Sequence, residues 1–359
     1  MTPDPSTLAA NLKRLAADLG LHDCRIALLQ GPAPHADAFQ AWLDDGRHGS
    51  MEWMARQPQR RCDPREVLPG ARSVVSLALN YWQPHPHSPP PQAATGSIAR
   101  YAWGDDYHPL LDRKLRDLCS HLEDCGGTQK LYADTGPILE RDWATASGLG
   151  WNGKSTLQIH PTLGCYFFLA EILTTLEIAP DRPLHDHCGK CTRCLTACPT
   201  QAITAPHQLD ARRCLSYLTI EHQGPIPLEF RQALGDRIYG CDDCLAACPW
   251  NRFAQASRET AFAARPFVHQ WPLRHFLALD PASFTALFRL SPIRRIKLPA
   301  FLRNVCVALG NVGTPDDLPA LSRAAQDPNP LIAEHAQWAL CEIARRLPSL
   351  SFPDSPNSL

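Results

Sequence analysis

Eight of the chain's 15 cysteines fall between residues 188 and 248, and no other feature restricts the possible folds so tightly. Cys188, Cys191, Cys194 and Cys198 are separated by two, two and three residues, and Pro199 follows the last of them. That is the bacterial ferredoxin run, in which three thiolates converge on one cluster while the fourth serves a second. Cys241, Cys244 and Cys248, followed by Pro249, repeat the two- and three-residue gaps, but Ile238 stands where the first cysteine would be. Cys214 is the upstream substitute. One [4Fe–4S] cluster is therefore assigned to Cys188, Cys191, Cys194 and Cys248, and the other to Cys198, Cys214, Cys241 and Cys244. Four-cysteine zinc sites are the alternative. They do not normally carry a cysteine-proline ending twice, nor the tight triple run.

The cysteine total is odd and the chain too long to need disulfides, so the crowding reads as metal ligation in a reducing compartment. The scattered set (Cys24, Cys62, Cys119, Cys125, Cys165, Cys306 and Cys341) reads as small hydrophobes in packing. At 359 residues, 44% apolar and 20% charged, two or three globular domains are expected. Net charge is −1, so affinity for nucleic acid would have to come from a local patch. Residues 1–21 lack the apolar core of a signal peptide, and no stretch approaches a membrane span. A cytoplasmic monomer with no membrane contact is the expectation.

Apolar spacing predicts helices at Leu8–Leu19, stopped by Gly20, at His35–Met54 with a break near Gly46 and Gly49, and at Asp112–Asp124. Strands are expected at Ser73–Asn80 and Lys130–Ala133, and two more within Gly164–Leu176. Five prolines make residues 83–92 an extended loop. This alternation suggests an α/β domain over 1–178. A ferredoxin-like two-cluster domain over 179–256 would follow. Helices at Phe284–Leu290, Pro299–Leu309, Leu318–Ala325 and Leu331–Leu347 suggest a C-terminal helical repeat over 257–346, and 347–359 reads as a disordered tail. The fold class expected is α+β multidomain.

Two motifs mislead. Gly148–Ser155 matches the Walker A pattern, which needs a preceding strand and a following helix. Here a helix is predicted before it, over Ile138–Ser147, and an extended segment after it. Asp134–Gly136 matches the aspartic protease triplet, but the paired aspartate is missing. An aspartate in a turn is the simpler reading.

Several further segments carry a family resemblance: Arg61–Pro64 with Leu68–Arg72, Ala99–Gly104, Asp134–Pro137, Gly150–Lys154, Tyr217–Glu221 and Phe301–Val305. With the cysteine block, they make the chain resemble the epoxyqueuosine reductases over about residues 7–346. Ser155, where members often carry asparagine, and the proline-rich insert are departures. The resemblance implies cobalamin-dependent removal of an epoxide oxygen from the wobble nucleoside of transfer RNA, with Asp134 as proton donor. A carboxylic acid can serve if burial holds its proton near neutral pH. It also implies an α/β cobalamin-binding domain, a HEAT-like C-terminal repeat, and a flavodoxin or ferredoxin-like electron donor. The corrin would be lined by Arg61, Tyr101, Asp134, Gln158, Leu169, Ser216, Asp242 and Asp243.

One cue is independent of family. From Pro281 to Pro315 no acidic residue occurs, yet Arg289, Arg294, Arg295, Lys297 and Arg303 do. The expectation is a phosphate-tracking surface, with Arg294, Arg295, Lys297 and Arg303 as RNA contacts. A small-molecule corrinoid reductase of the dehalogenase kind, or an electron-transfer subunit, are the competing readings.

Overall fold

The computed structural model describes residues 4–85 and 93–346. Most of the proline-rich loop and the whole 347–359 tail lie outside those residues. Two compact units interleave along the sequence. The first comprises Met1–Pro84, Gly104–Cys214 and Asp242–Ala263, the second His85–Trp103, Leu215–Cys241 and Ala264–Leu359. The three consecutive domains expected from the sequence are therefore not what forms. Leu215–Cys241, expected within the cluster domain, buries Ile220, Ile238 and Tyr239 in one core with Phe276, Phe301 and Val305. Asp242–Ala263 joins the first unit instead, where Lys114 Nζ meets Glu259 at 2.6 Å and Asn80 Nδ2 donates to Gln255 O.

The first unit is built on four strands, β1 (Asp23–Leu28), β2 (Ser73–Asn80), β3 (Gln129–Tyr132) and β4 (Phe167–Thr174), in the order β1-β2-β4-β3. Every pairing in this sheet is antiparallel. The apolar run at 164–176 forms one long strand, β4, rather than two, and β1 was not anticipated. All eight residues of β2 are buried, as a central strand covered on both faces requires. Helix α1 (Pro5–Asp18) is capped by Asp4, whose carboxylate accepts from Ser6 N and Thr7 N, and it ends at Gly20 with φ 81°. Helix α2 (Tyr107–Asp124) stacks Tyr107 on Phe168 of β4 at 4.0 Å. Helix α3 (Glu140–Ala146) packs Trp143 and Ala144 on the opposite face of the sheet, against Val74, Ala78 and Leu173. The expected 35–54 helix forms only as Ala36–Asp44 and a short turn at Glu52–Ala55. Among the described residues no helix is long and apolar enough to cross a membrane.

In the second unit the C-terminal helices form close to where periodicity puts them: α4 (Leu298–Val312), α5 (Leu318–Ala324) and α6 (Pro330–Arg346). They do not stand apart as a separate repeat, because α4 packs on Arg237–Tyr239 and Leu228–Leu234 as well as on α6. Arg303 is the clearest departure from expectation. It is 0% exposed, and its guanidinium donates to the carbonyls of Leu218, His222 and Gly224 and to Asn304 Oδ1. Asn304 Nδ2 donates to Thr219 O and Ile238 O. Burial pulls the Arg303 guanidinium down to about 10, so it remains charged at neutral pH. A side chain fully spent on internal carbonyls cannot track phosphates, and Arg303 leaves the RNA-binding set. Arg303→Ala should cost at least ~3 kcal/mol, since several buried carbonyls lose a charged donor. A denaturant melt of the purified variant measures it.

Candidate active site and cluster ligands

Asp134 follows the edge strand β3 in a left-handed turn, at φ 64°. Few non-glycine residues hold that conformation, and aspartate is among the more tolerant. Three groups keep it there. Glu140 Oε1, in the first turn of α3, accepts the Asp134 backbone N–H at 2.7 Å. Tyr107 Oη, from the other face of the sheet, donates to Asp134 Oδ2 at 2.8 Å. Arg61 Nη1 donates to Gly136 O at 3.1 Å and ties down the far side of the loop. Gly136 has no room for more, because a Cβ there would lie 2.3 Å from the Tyr132 ring. His108 Nε2 stands 3.8 Å from Asp134 Oδ2.

The Asp134 side chain is 50% exposed, so the burial invoked from the sequence does not fall on this acid. It falls on its neighbours. Glu140 is half-buried, and Glu171, on the α3-facing side of β4, is 0% exposed. Neither glutamate, nor Tyr107, was anticipated. Glu171 had a legible signal as the one acid in the apolar run of residues 166–173.

The residues expected around a corrin divide between the two units. Arg61 is buried, with its plane over Trp53 at 5.3 Å, and its Nε finds no partner among the described residues. Gln158 is buried beside α3, with its amide at Thr145 Oγ1. Leu169 is half-buried against Ala78, Ala144, Leu149, Leu163 and Phe167, two residues from Glu171 on the same face of β4. Asp242 precedes, and Asp243 begins, the short helix Asp243–Ala246. Tyr101 and Ser216 lie in the second unit, Tyr101 with its ring 6.1 Å from that of Tyr239. A buried guanidinium with an unfilled donor and a buried amide suit the carboxamide-rich rim of a corrin.

All eight cysteines of the block are half-buried. Ala202 N donates to Cys198 Sγ at 3.2 Å, the kind of amide contact that stabilises thiolates at iron–sulfur clusters. Lys154, the lysine of the Walker-like segment, donates to the carbonyls of Gly189 and Cys191 and so braces the cysteine loop rather than a phosphate. The strand pair Trp151–Asn152 with Gln158–Ile159 takes the place of the helix that a phosphate loop needs. The short helices Arg193–Ala197 and Asp243–Ala246, each carrying the middle of a cysteine run, pack on each other. Cys165, read from sequence as ordinary packing, is buried and donates its thiol to Cys248, which favours the Cys248 thiolate and holds it near 7.

Residues 61–135 match the family described as Epoxyqueuosine reductase QueG, DUF1730, and residues 187–251 match a 4Fe-4S double cluster binding domain. An epoxyqueuosine reductase from Xanthomonas campestris is 41% identical over 346 residues, covering 95% of this chain and 97% of that one. The fold is similar to that of an epoxyqueuosine reductase crystallised with a tRNA-Tyr epoxyqueuosine-modified stem loop, with a TM-score of 0.88, 31% identity, and 94% of this chain and 90% of the other covered. It is also similar to the Bacillus subtilis epoxyqueuosine reductase, described with an aspartate-bearing catalytic loop swung out of the active site. There the TM-score is 0.85 at 30% identity, with 94% and 90% covered. Protein purified without air should carry about eight iron atoms per chain, and Cys214→Ala about half of that. Iron content unchanged by the substitution would remove Cys214 from the ligand set.

Proposed function

The chain belongs to the epoxyqueuosine reductases, oxidoreductases of transfer RNA modification, and from that premise we propose a specific division of labour among its residues. It reduces epoxyqueuosine to queuosine at the wobble position of tRNA, with electrons passed through two [4Fe–4S] clusters and a proton delivered by Asp134. Cys188, Cys191, Cys194 and Cys248 hold one cluster, and Cys198, Cys214, Cys241 and Cys244 the other. Arg61, Gln158, Leu169, Asp242 and Asp243 would hold cobalamin, while Tyr101 and Ser216 are candidates on the family resemblance alone. When bound, cobalamin supplies a cobalt centre able to gather the electrons that clusters pass singly. A flavodoxin or ferredoxin-like protein is the class of donor that could reduce the clusters.

The observation that carries this reading is the built Asp134 turn. Converting the epoxide to an alkene takes two electrons and two protons. Both carbon–oxygen bonds break, and the oxygen leaves as water. The opening oxygen bears negative charge before it departs, so a proton must be available where the ring opens. Asp134 presents its carboxyl at the surface of the first unit, oriented by Tyr107 and held at its backbone by Glu140. Arg61 fixes the turn that follows. A non-catalytic electron-transfer subunit would need none of these supports.

Asp134→Asn should keep iron and cobalamin but lose ~100- to 10,000-fold in single-turnover reduction of epoxyqueuosine-containing tRNA, normalised to bound cobalamin. Rates near those of the parent protein would return Asp134 to the role of a turn residue.

The substrate contacts are supported by the second unit. Arg294, Arg295 and Lys297 are exposed on the 3-10 turn Pro292–Arg295 and at the start of α4. Arg295 also pairs with Glu221 at 2.7 Å. Reversing all three to glutamate should weaken tRNA binding and flatten its dependence on salt, because fewer counterions are released. Iron content should not change. Titrations at several salt concentrations test this, and unaltered affinity would move the RNA face elsewhere.

A further inference from the structure

Two glutamates meet behind the Asp134 turn, and the proposed proton delivery uses only the backbone contact that one of them, Glu140, makes. Glu171 lies on β4 opposite Ser76 of β2 and Tyr132 of β3, wholly buried. Neither of its carboxyl oxygens finds a donor among the described residues, and Ser76 Oγ beside it is also unpartnered. The acid that Glu171 does reach is Glu140, carboxyl to carboxyl. Two carboxylates cannot hold such a contact in a buried site. It closes only when one of them keeps a proton. Glu140 is also the acceptor of the Asp134 backbone N–H at 2.7 Å.

We propose that Glu140 and Glu171 share one proton, and that this shared proton is the latch that holds the Asp134 turn in its working position. Glu171 donates O–H to Glu140, which is thereby fixed where it can accept the Asp134 amide. Glu140 meets Asp134 through a backbone N–H, not through the Asp134 carboxyl, so the pair positions the acid rather than reloading it. The charged and titratable groups around the pair are Asp134 on its loop, Arg61, Arg141 on α3 and Tyr132 on β3, with Tyr107 and His108 of α2 at Asp134.

Burial first, and the nearby Asp134 charge second, push Glu140 up to about 7. Burial and the Glu140 charge push Glu171 well above the usual carboxylate range. The sign follows. Both acids bind protons more tightly in the folded protein, so the latch is closed at neutral pH and below. It opens as pH rises and the shared proton is lost, when repulsion drives Glu140 away from Asp134.

The proposal rests on Asp134 as proton donor for its catalytic meaning but not for its test. Hydrogen–deuterium exchange of the peptide spanning residues 132–140 is measured in the iron-loaded protein from pH 6 to pH 9, corrected for intrinsic exchange. The parent protein should be protected at Asp134 at pH 6 and lose that protection toward the alkaline end, the direction set by the raised Glu171 acid. Glu171→Gln, whose amide donates to Glu140 at any pH, should stay protected throughout. Glu171→Met, with no donor, should exchange at least ~10-fold faster even at pH 6, as expected for a lost charge-assisted hydrogen bond. Protection that is identical in the Gln and Met variants, or a parent protein whose protection does not change with pH, would overturn the latch. If Glu171→Met does not fold, the parent-versus-Gln comparison still decides. Failure of Asp134 as proton donor would show separately, as an active Asp134→Asn protein with this exchange pattern intact.

Discussion

The first unit is organised by one constraint: its two central strands are buried on both faces. All of β2, and β4 apart from partly covered Leu169, lie inside. A sheet in that state must be covered twice, and α2 and α3 supply the opposite covers. The edge strand β3 ends between them. The loop leaving it can therefore be reached by Tyr107 from one side and Glu140 from the other. Asp134 adopts a backbone conformation that costs free energy, and both layers of the fold contribute the hydrogen bonds that offset it.

The same double burial explains why an acid within β4 matters. Glu171 has the position of a core residue and the chemistry of a surface one. Such a group must find a partner, change its protonation state, or be replaced. Here it has done the first two at once, by meeting a second acid that is useful elsewhere. Cys165 and Cys248 show the same logic in sulfur, since a buried thiol with few options donates to a neighbour whose charge has another use.

Much of this was legible in the sequence, and the reasons differ by element. The cysteine runs could be read because cluster ligation restricts residue type and spacing within a few positions. Helices α1, α4 and α6 could be read because their apolar faces repeat locally. The domain boundaries could not, because nothing in the composition near Cys214 or Cys241 signals that the intervening segment joins a core completed much later in the chain. The run of basic residues misled for a related reason. Arg294 and Arg303 look alike in a charge count, and only the carbonyls converging on one of them tell buried donor from exposed cation.

The second unit has a consequence for how the chain is made. Its core needs Ile98 and Trp103, then Ile238 and Tyr239, and finally Phe301, Val305 and Ile343. During synthesis the early pieces leave the ribosome long before α4 and α6 exist to cover them. Arg303 and Asn304, which gather the carbonyls of residues 218–224 and 238, arrive later still than the groups they satisfy. Until then those aromatic and aliphatic surfaces stay open to water and to other nascent chains. This unit therefore closes only once α4 and α6 have been made, and a chain ending short of α4 would leave an adhesive, unfinished core.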